Sequence, residues 1–207
     1  MSKELIIIGA GSVGGHIVSN LNLYFTKRIH PIFLDDDQEK HNKKFCGVDI
    51  LGGISEVEKF DLNCPVIIGI SFPSIKIKIY NYLKKLGFDN FPTLVSRSTW
   101  ISNEVEIGRG SIVYPGCTVN YNTNIGKFVI MNMNCAIGHD CVISDYASLS
   151  PGVNLGGYTK IGRQSEIGIG ASTLQFINIG NESVVGGNCV VVRDVKSGVI
   201  VKGVPGR

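Results

Sequence analysis

The sequence predicts a two-part chain: a small α/β unit over residues 1–96, then a parallel β-helix over 97–207. Three observations carry this. Short apolar runs alternate with helical segments in the first half. A six-residue pattern repeats through the second half without insertion. Most of the 26 glycines fall in that second half, so the two halves differ in architecture.

In the first half, ELIIIG (4–9) reads as a buried strand, followed by a glycine turn and a helix over about 12–25. HPIFL (30–34) reads as a second strand, ending in Asp35, Asp36 and Asp37. VDILGG and CPVIIGIS supply further strands, with helical segments near 54–60 and 73–86, and FPTLV closes the half. Strands alternating with helices imply a parallel sheet. Gly9, Gly11 and Gly14 spell G-x-G-x-x-G between a strand and a helix, and Asp35 lies 21 residues beyond Gly14. Such glycines let backbone approach a phosphate, which the N–H groups of a helix N-terminus then bind. Read literally, this is a Rossmann-like dinucleotide site. About 95 residues leave little room for a second mononucleotide half, so a nucleotide-sugar fits the space better. A tight turn without a ligand is the bland alternative. The loops at the carboxyl ends of the strands hold the candidate substrate-binding residues Gly11, Ser12, His16, Asp35, Asp36 and Ser71.

In the second half, every sixth residue from Ile101 to Val191 is large and apolar except Thr173. The position four further on (Cys117, Thr123, Val129, Cys135 and so on) is always small or β-branched, and glycine often follows the aliphatic residue. Neither a helical period nor simple alternation gives this. A period of six is the signature of a hexapeptide β-helix, with three hexads per coil and about five coils here. The aliphatic side chains point inward and stack on their copies 18 residues away, the small residue fills the corner, and glycine is expected to permit the turn. Four of the six cysteines fall on the small interior position, where cysteine packs as a compact hydrophobe. No metal site is expected of them. His139 and Asp140, between Cys135 and Cys141, fall on an outward-facing part of their hexad, with Gly157 stacked above the histidine.

Bulk properties narrow the function. Hydrophobic residues make up 43% and charged residues 18%, which suits a globular protein. A net charge of +3 without a basic cluster argues against nucleic acid. The amino-terminal apolar run is too short for a signal sequence and none is long enough to span a bilayer, so a cytoplasmic protein with free thiols is expected.

The glycine loop, the hexad array, CAIGHDCVISDYASLSPG and the terminal VKGVPGR together resemble the bacterial nucleotide-sugar acetyltransferases of the left-handed β-helix class, which includes UDP-4-amino-sugar N-acetyltransferases and sialic-acid O-acetyltransferases. The resemblance spans nearly the whole chain. It implies a left-handed coil and transfer of acetyl from acetyl-CoA to the amine of a nucleotide-linked (UDP-, dTDP- or GDP-) 4-amino-sugar. His139 then matches the general base and Asp140 its acidic neighbour, and Asn132 an asparagine near the catalytic histidine. Gly157, Ile169 and Gly187 match positions whose backbone binds acetyl-CoA. A homotrimer is implied, with sites at subunit interfaces. Some members carry a second histidine where this chain has Ser148, and their glycine loop is shorter, which bears on the register of His16. An O-acetyltransferase shares the same residues. A nicotinamide-dependent oxidoreductase and a non-catalytic scaffold are the readings from other classes.

Overall fold

The computed structural model describes residues 3–207, which divide into two compact units, one ending at Pro92 and one beginning at Thr93. In the first unit, β1 (Lys3–Ile8), β2 (Ile29–Leu34), β4 (Val48–Gly52) and β5 (Val66–Ile68) are parallel, and β3 (Lys44–Phe45) pairs antiparallel with β4. The sheet order is β3-β4-β2-β1-β5. Leu5 to Ile8 are fully buried, as an inner strand covered on both faces requires. The sheet is therefore mixed rather than purely parallel. The departure lies at Cys46-Gly47, two residues with positive φ (49° and 79°), the dihedral signature of a two-residue hairpin turn.

The helix expected over 12–25 is broken. It runs as α1 (Ser12–Ser19) and a single turn, α2 (Leu21–Tyr24). Asn20 causes the break, since its side-chain amide donates to the His16 carbonyl at 2.8 Å and competes with the backbone ladder. The segment near 54–60 is a 3₁₀ helix, Ile54–Lys59, and α3 spans Pro73–Lys85.

The second unit consists of two-residue parallel strands stacked into three sheets, which fit a left-handed β-helix preceded by a small mixed-sheet domain. The first face begins at Leu94–Val95 and continues through Ile112–Val113 and Ile130–Met131. FPTLV therefore opens the coil instead of closing the α/β unit. The second face includes Thr118–Val119 and Ala136–Ile137, and the third Asn124–Ile125 and Val142–Ile143. Partners lie 18 residues apart until the last turn, where Val184 pairs with Ile200 and the spacing drops to 16. Val119, Ile137, Leu155 and their equivalents fill the interior. Each such burial contributes about 1.5–3 kcal/mol.

Two details refine the hexad. The glycine after the aliphatic residue does not make the turn. A Cβ on Gly138 would stand 2.6 Å from the Gly157 nitrogen, and one on Gly168 2.6 Å from the Gly187 nitrogen. These glycines let successive coils touch. Left-handed φ occurs two residues later, at Asn122 (52°), Asp140 (56°), Tyr158 (61°) and Phe176 (64°). The small interior position is also a donor to the next coil. The hydroxyls of Ser111 and Thr123 and the thiols of Cys117, Cys135 and Cys141 each bond the carbonyl 15 residues on. Thr173, the one polar member of the aliphatic column, is matched by Thr159, with hydroxyls 2.9 Å apart.

Candidate functional site

In the first unit, parallel pairing brings the loops after β1, β2 and β5 to one edge of the sheet. Three glycines there do three jobs. Gly9 adopts φ 103°; a Cβ on Gly14 would clash with the Gly9 carbonyl and Phe33, so it sets how closely α1 packs on the sheet; the space beside Gly11 is open. Gly11 and Ser12 thus stand at the α1 N-terminus with room for a ligand, as a phosphate-binding turn needs. Asp35 folds back onto this loop. Its Oδ2 accepts from the Ala10 amide at 2.8 Å and the Lys40 ammonium at 3.1 Å, and its Oδ1 from the Asp37 amide at 3.0 Å. Burial pushes the Asp35 carboxyl up, but the Asp37 amide, the Lys40 ammonium and the Ala10 amide outweigh it and hold it below its ordinary value. Asp36 Oδ1 accepts from the Ile54 amide at 2.8 Å and lines a cleft of about 340 Å³ with Ser55, Lys78 and Tyr82. His16 lies one turn into α1, where its Nε2 meets the Tyr24 hydroxyl at 2.7 Å and burial lowers its pKa. Ser71 sits half-buried between β5 and α3.

In the second unit, the candidate residues sort onto two corners of the prism. His139 and Gly157 stand where the second face turns into the third. Asn132, Ile169 and Gly187 stand where the first turns into the second. There Ile169 is 62% exposed and Gly187 stacks directly on it, while Asn132 Oδ1 accepts from the Met133 amide at 2.8 Å. Ser148 is buried on the first face.

His139 Nδ1 and Asp140 Oδ2 are 2.7 Å apart, and Asn122 Nδ2 donates to Asp140 Oδ1 at 2.5 Å. The His139 hydrogen bond, followed by that from Asn122, holds the Asp140 carboxyl below the usual carboxylate range. An ionised carboxylate only accepts, so Nδ1 carries the proton and Nε2 of a neutral ring keeps its lone pair. Tyr121 stacks on the imidazole (5.3 Å between centroids, 9°), and Tyr158 meets it edge-on (5.2 Å, 86°). Nε2 faces the α-carbon of Gly157, where a Cβ would come within 2.8 Å. The ring is thus pinned by its neighbours while one basic nitrogen remains free. Tyr121, Asn122 and Tyr158 escaped the reading of the sequence, although an offset of 18 from His139 and Asp140 reaches Tyr121, Asn122 and Tyr158. The four prism thiols are buried, that of Cys141 donating to the His139 and Gly156 carbonyls behind this corner, and among the described residues no cluster of metal-ligating side chains occurs.

No protein-family model matches the chain, and no curated protein matches its sequence. Solved structures do. WeeI from Acinetobacter baumannii AYE superposes with a TM-score of 0.90 at 29% identity, covering 100% of this chain and 99% of that one. The acetyltransferase domain of PglB from Neisseria gonorrhoeae FA1090 gives 0.89 at 28% identity with the same coverage, and it has also been solved with acetyl coenzyme A. Perosamine N-acetyltransferase from Caulobacter crescentus, in complex with CoA and GDP-perosamine, shares the fold at 0.91 and 24% identity over 99% of this chain and 95% of that one. Over its whole length, then, the chain is similar to WeeI and to the acetyltransferase domain of PglB, and it shares its fold with a perosamine N-acetyltransferase.

Proposed function

We propose that the protein is an acetyl-CoA-dependent N-acetyltransferase acting on the amino group of a nucleotide-linked 4-amino-sugar, with His139 as general base. The observation that carries the reading is the free Nε2 of His139, opposite a glycine and backed by an ionised Asp140. The sugar amine attacks the thioester carbonyl, and the C–N bond forms as the C–S bond breaks. Nε2 takes the proton the amine sheds and returns it to the departing thiolate, leaving an amide and free coenzyme A. No acyl-enzyme forms, which accords with thiols that are all interior on the prism. A backbone amide near the thioester oxygen stabilises its developing charge. Gly157, Ile169 and Gly187 are assigned to acetyl-CoA, with the exposed Ile169 available to its pantetheine arm. Asn132 is assigned to positioning the acceptor.

The finer architecture belongs to the same proposal. Residues 1–96 act as a Rossmann-like nucleotide-sugar-binding domain through Gly11, Ser12, His16, Asp35, Asp36 and Ser71. Residues 97–207 act as an acetyltransferase prism of about five coils, and the enzyme works as a cytoplasmic homotrimer. The open space at Gly11 supports a phosphate there. Asp35 already serves three donors, which favours a role in shaping the loop.

The decisive assay mixes protein, acetyl-CoA and UDP-, dTDP- or GDP-linked 4-amino-sugars and follows thiol release, with His139→Ala alongside. Turnover of one amine, reduced at least about 100-fold in the variant, is expected. Turnover confined to sugar hydroxyls would replace the amine with an O-acetyl acceptor, and a fully active variant would remove His139 as base.

A further inference from the structure

The corner bearing His139 runs through successive coils as two adjacent columns. One holds Tyr121, His139 and Gly157; the other holds Asn122, Asp140 and Tyr158, each 18 residues from the next. Asn122 and Asp140 both take left-handed φ, which Asn and Asp adopt more readily than other non-glycine residues. Their side chains therefore project from equivalent points one coil apart, and Asn122 Nδ2 meets Asp140 Oδ1 at 2.5 Å. The other carboxylate oxygen, Oδ2, meets His139 Nδ1 at 2.7 Å.

Left to itself, an aspartate carboxylate turns broadly about its last torsion. A donor on Oδ1 removes that freedom and leaves Oδ2 aimed at the imidazole. The ring in turn has one face on Tyr121 of the preceding coil and an edge contact with Tyr158 of the following one, so its plane is held from both sides. We propose that Asn122 is a positioning residue for the acyl transfer: from the neighbouring coil it fixes the rotation of the Asp140 carboxylate and, through it, the plane and tautomer of His139. The proposal rests on the reading of His139 as the base.

Asn122→Gly removes the donor while keeping a residue at ease with left-handed φ. Asn122→Asp keeps the shape and sets an acceptor against the Asp140 carboxylate. Gln164→Gly changes an equivalent left-handed turn on another corner (φ 61°) and serves as the control. Two readouts apply: the nitrogen NMR shifts of the His139 ring with the neutral side chain, which need no substrate, and kcat and KM with acetyl-CoA and the amino-sugar turned over in the assay above. In the unsubstituted protein the Nδ1–H tautomer is expected to dominate. In Asn122→Gly it gives way to a mixture, with kcat falling roughly tenfold and KM unchanged within about twofold, as misorientation of a reacting group predicts. Asn122→Asp is expected to lose more, and Gln164→Gly nothing. A wild-type tautomer and wild-type kcat in folded Asn122→Gly, or in Asn122→Asp should the first not fold, overturns the proposal. Survival of activity in His139→Ala sinks the base itself, which the tautomer measurement does not test, so the two failures are separable.

Discussion

The Nε2 atom of His139 faces the α-carbon of Gly157, and a methyl group there would lie 2.8 Å away. The φ of Gly157 is not left-handed, so alanine fits the backbone and the conflict is with the imidazole alone. Tyr121, Tyr158 and Asp140 surround the ring and leave it no easy retreat. Gly157→Ala is therefore expected to lower kcat by at least about tenfold while the melting temperature moves by only a few degrees. Kinetics beside a thermal melt checks this; equal losses in both would mean that the glycine serves the coil. Tyr158 and Phe176 show how the corners tolerate aromatic residues in a left-handed conformation. Their rings stack at 4.6 Å and 6°, and the contact between coils offsets the backbone strain.

At the scale of elements, the glycine loop makes a pH-dependent prediction. The folded-state pKa of Asp35 is depressed, so its contribution to stability is fully present above the unfolded value of about 3.9. It is lost as the pH falls through the folded value. Asp35→Asn is expected to destabilise the protein by about 1.5–3 kcal/mol at pH 7, since three donors lose an anionic acceptor. The gap should close as the pH falls below about 4, which chemical denaturation at several pH values reads directly. A gap that shows no narrowing as the pH is taken below about 4 would mean the carboxylate's charge is not what counts. The prism was legible residue by residue, because side chains at a six-residue spacing can satisfy only an architecture with that period. The smaller elements were less so. Asn20 splits the first helix with one side-chain hydrogen bond, and Cys46-Gly47 turns a hairpin without a common turn dipeptide. Both are local competitions that apolar periodicity does not register. Of the candidate site, the hexad gave the outward place of His139 opposite Gly157, and the roles of His139 and Asp140 came only with the family resemblance. The coil offset of 18 reaches Asn122 and the flanking tyrosines as well, but it gives only their place, and which way their side chains turn needed the structure.

For the whole molecule, the contrast lies between a dinucleotide-dependent redox protein and an acyl transferase. The fingerprint Gly9 to Gly14 alone suits either, and the acyl-transfer reading adds the proposed role of His139 in the second unit. A ligand that binds the folded state raises its melting temperature by mass action, by about 2.7 kcal/mol of stability at 100 times the dissociation constant. Acetyl-CoA is expected to raise it, and NADH at the same concentration to leave it unchanged. The reverse order would return the protein to the oxidoreductases. No described helix is long and apolar enough to cross a membrane.

Partners 18 residues apart along nearly the whole prism have a consequence for how such a chain varies over time. The stack behaves like a reading frame. A residue gained or lost within a face would slide every later column against every earlier one, taking Gly157 off His139 in one direction and Asn122 off Asp140 in the other. Substitutions within a column carry no such penalty, and a whole coil can be duplicated or deleted without altering the register of the rest. Lineages built on this plan should therefore differ in length by multiples of 18 or by loops extruded at the corners. The inner wall can then stay constant while the outward positions are respelled for a new acceptor.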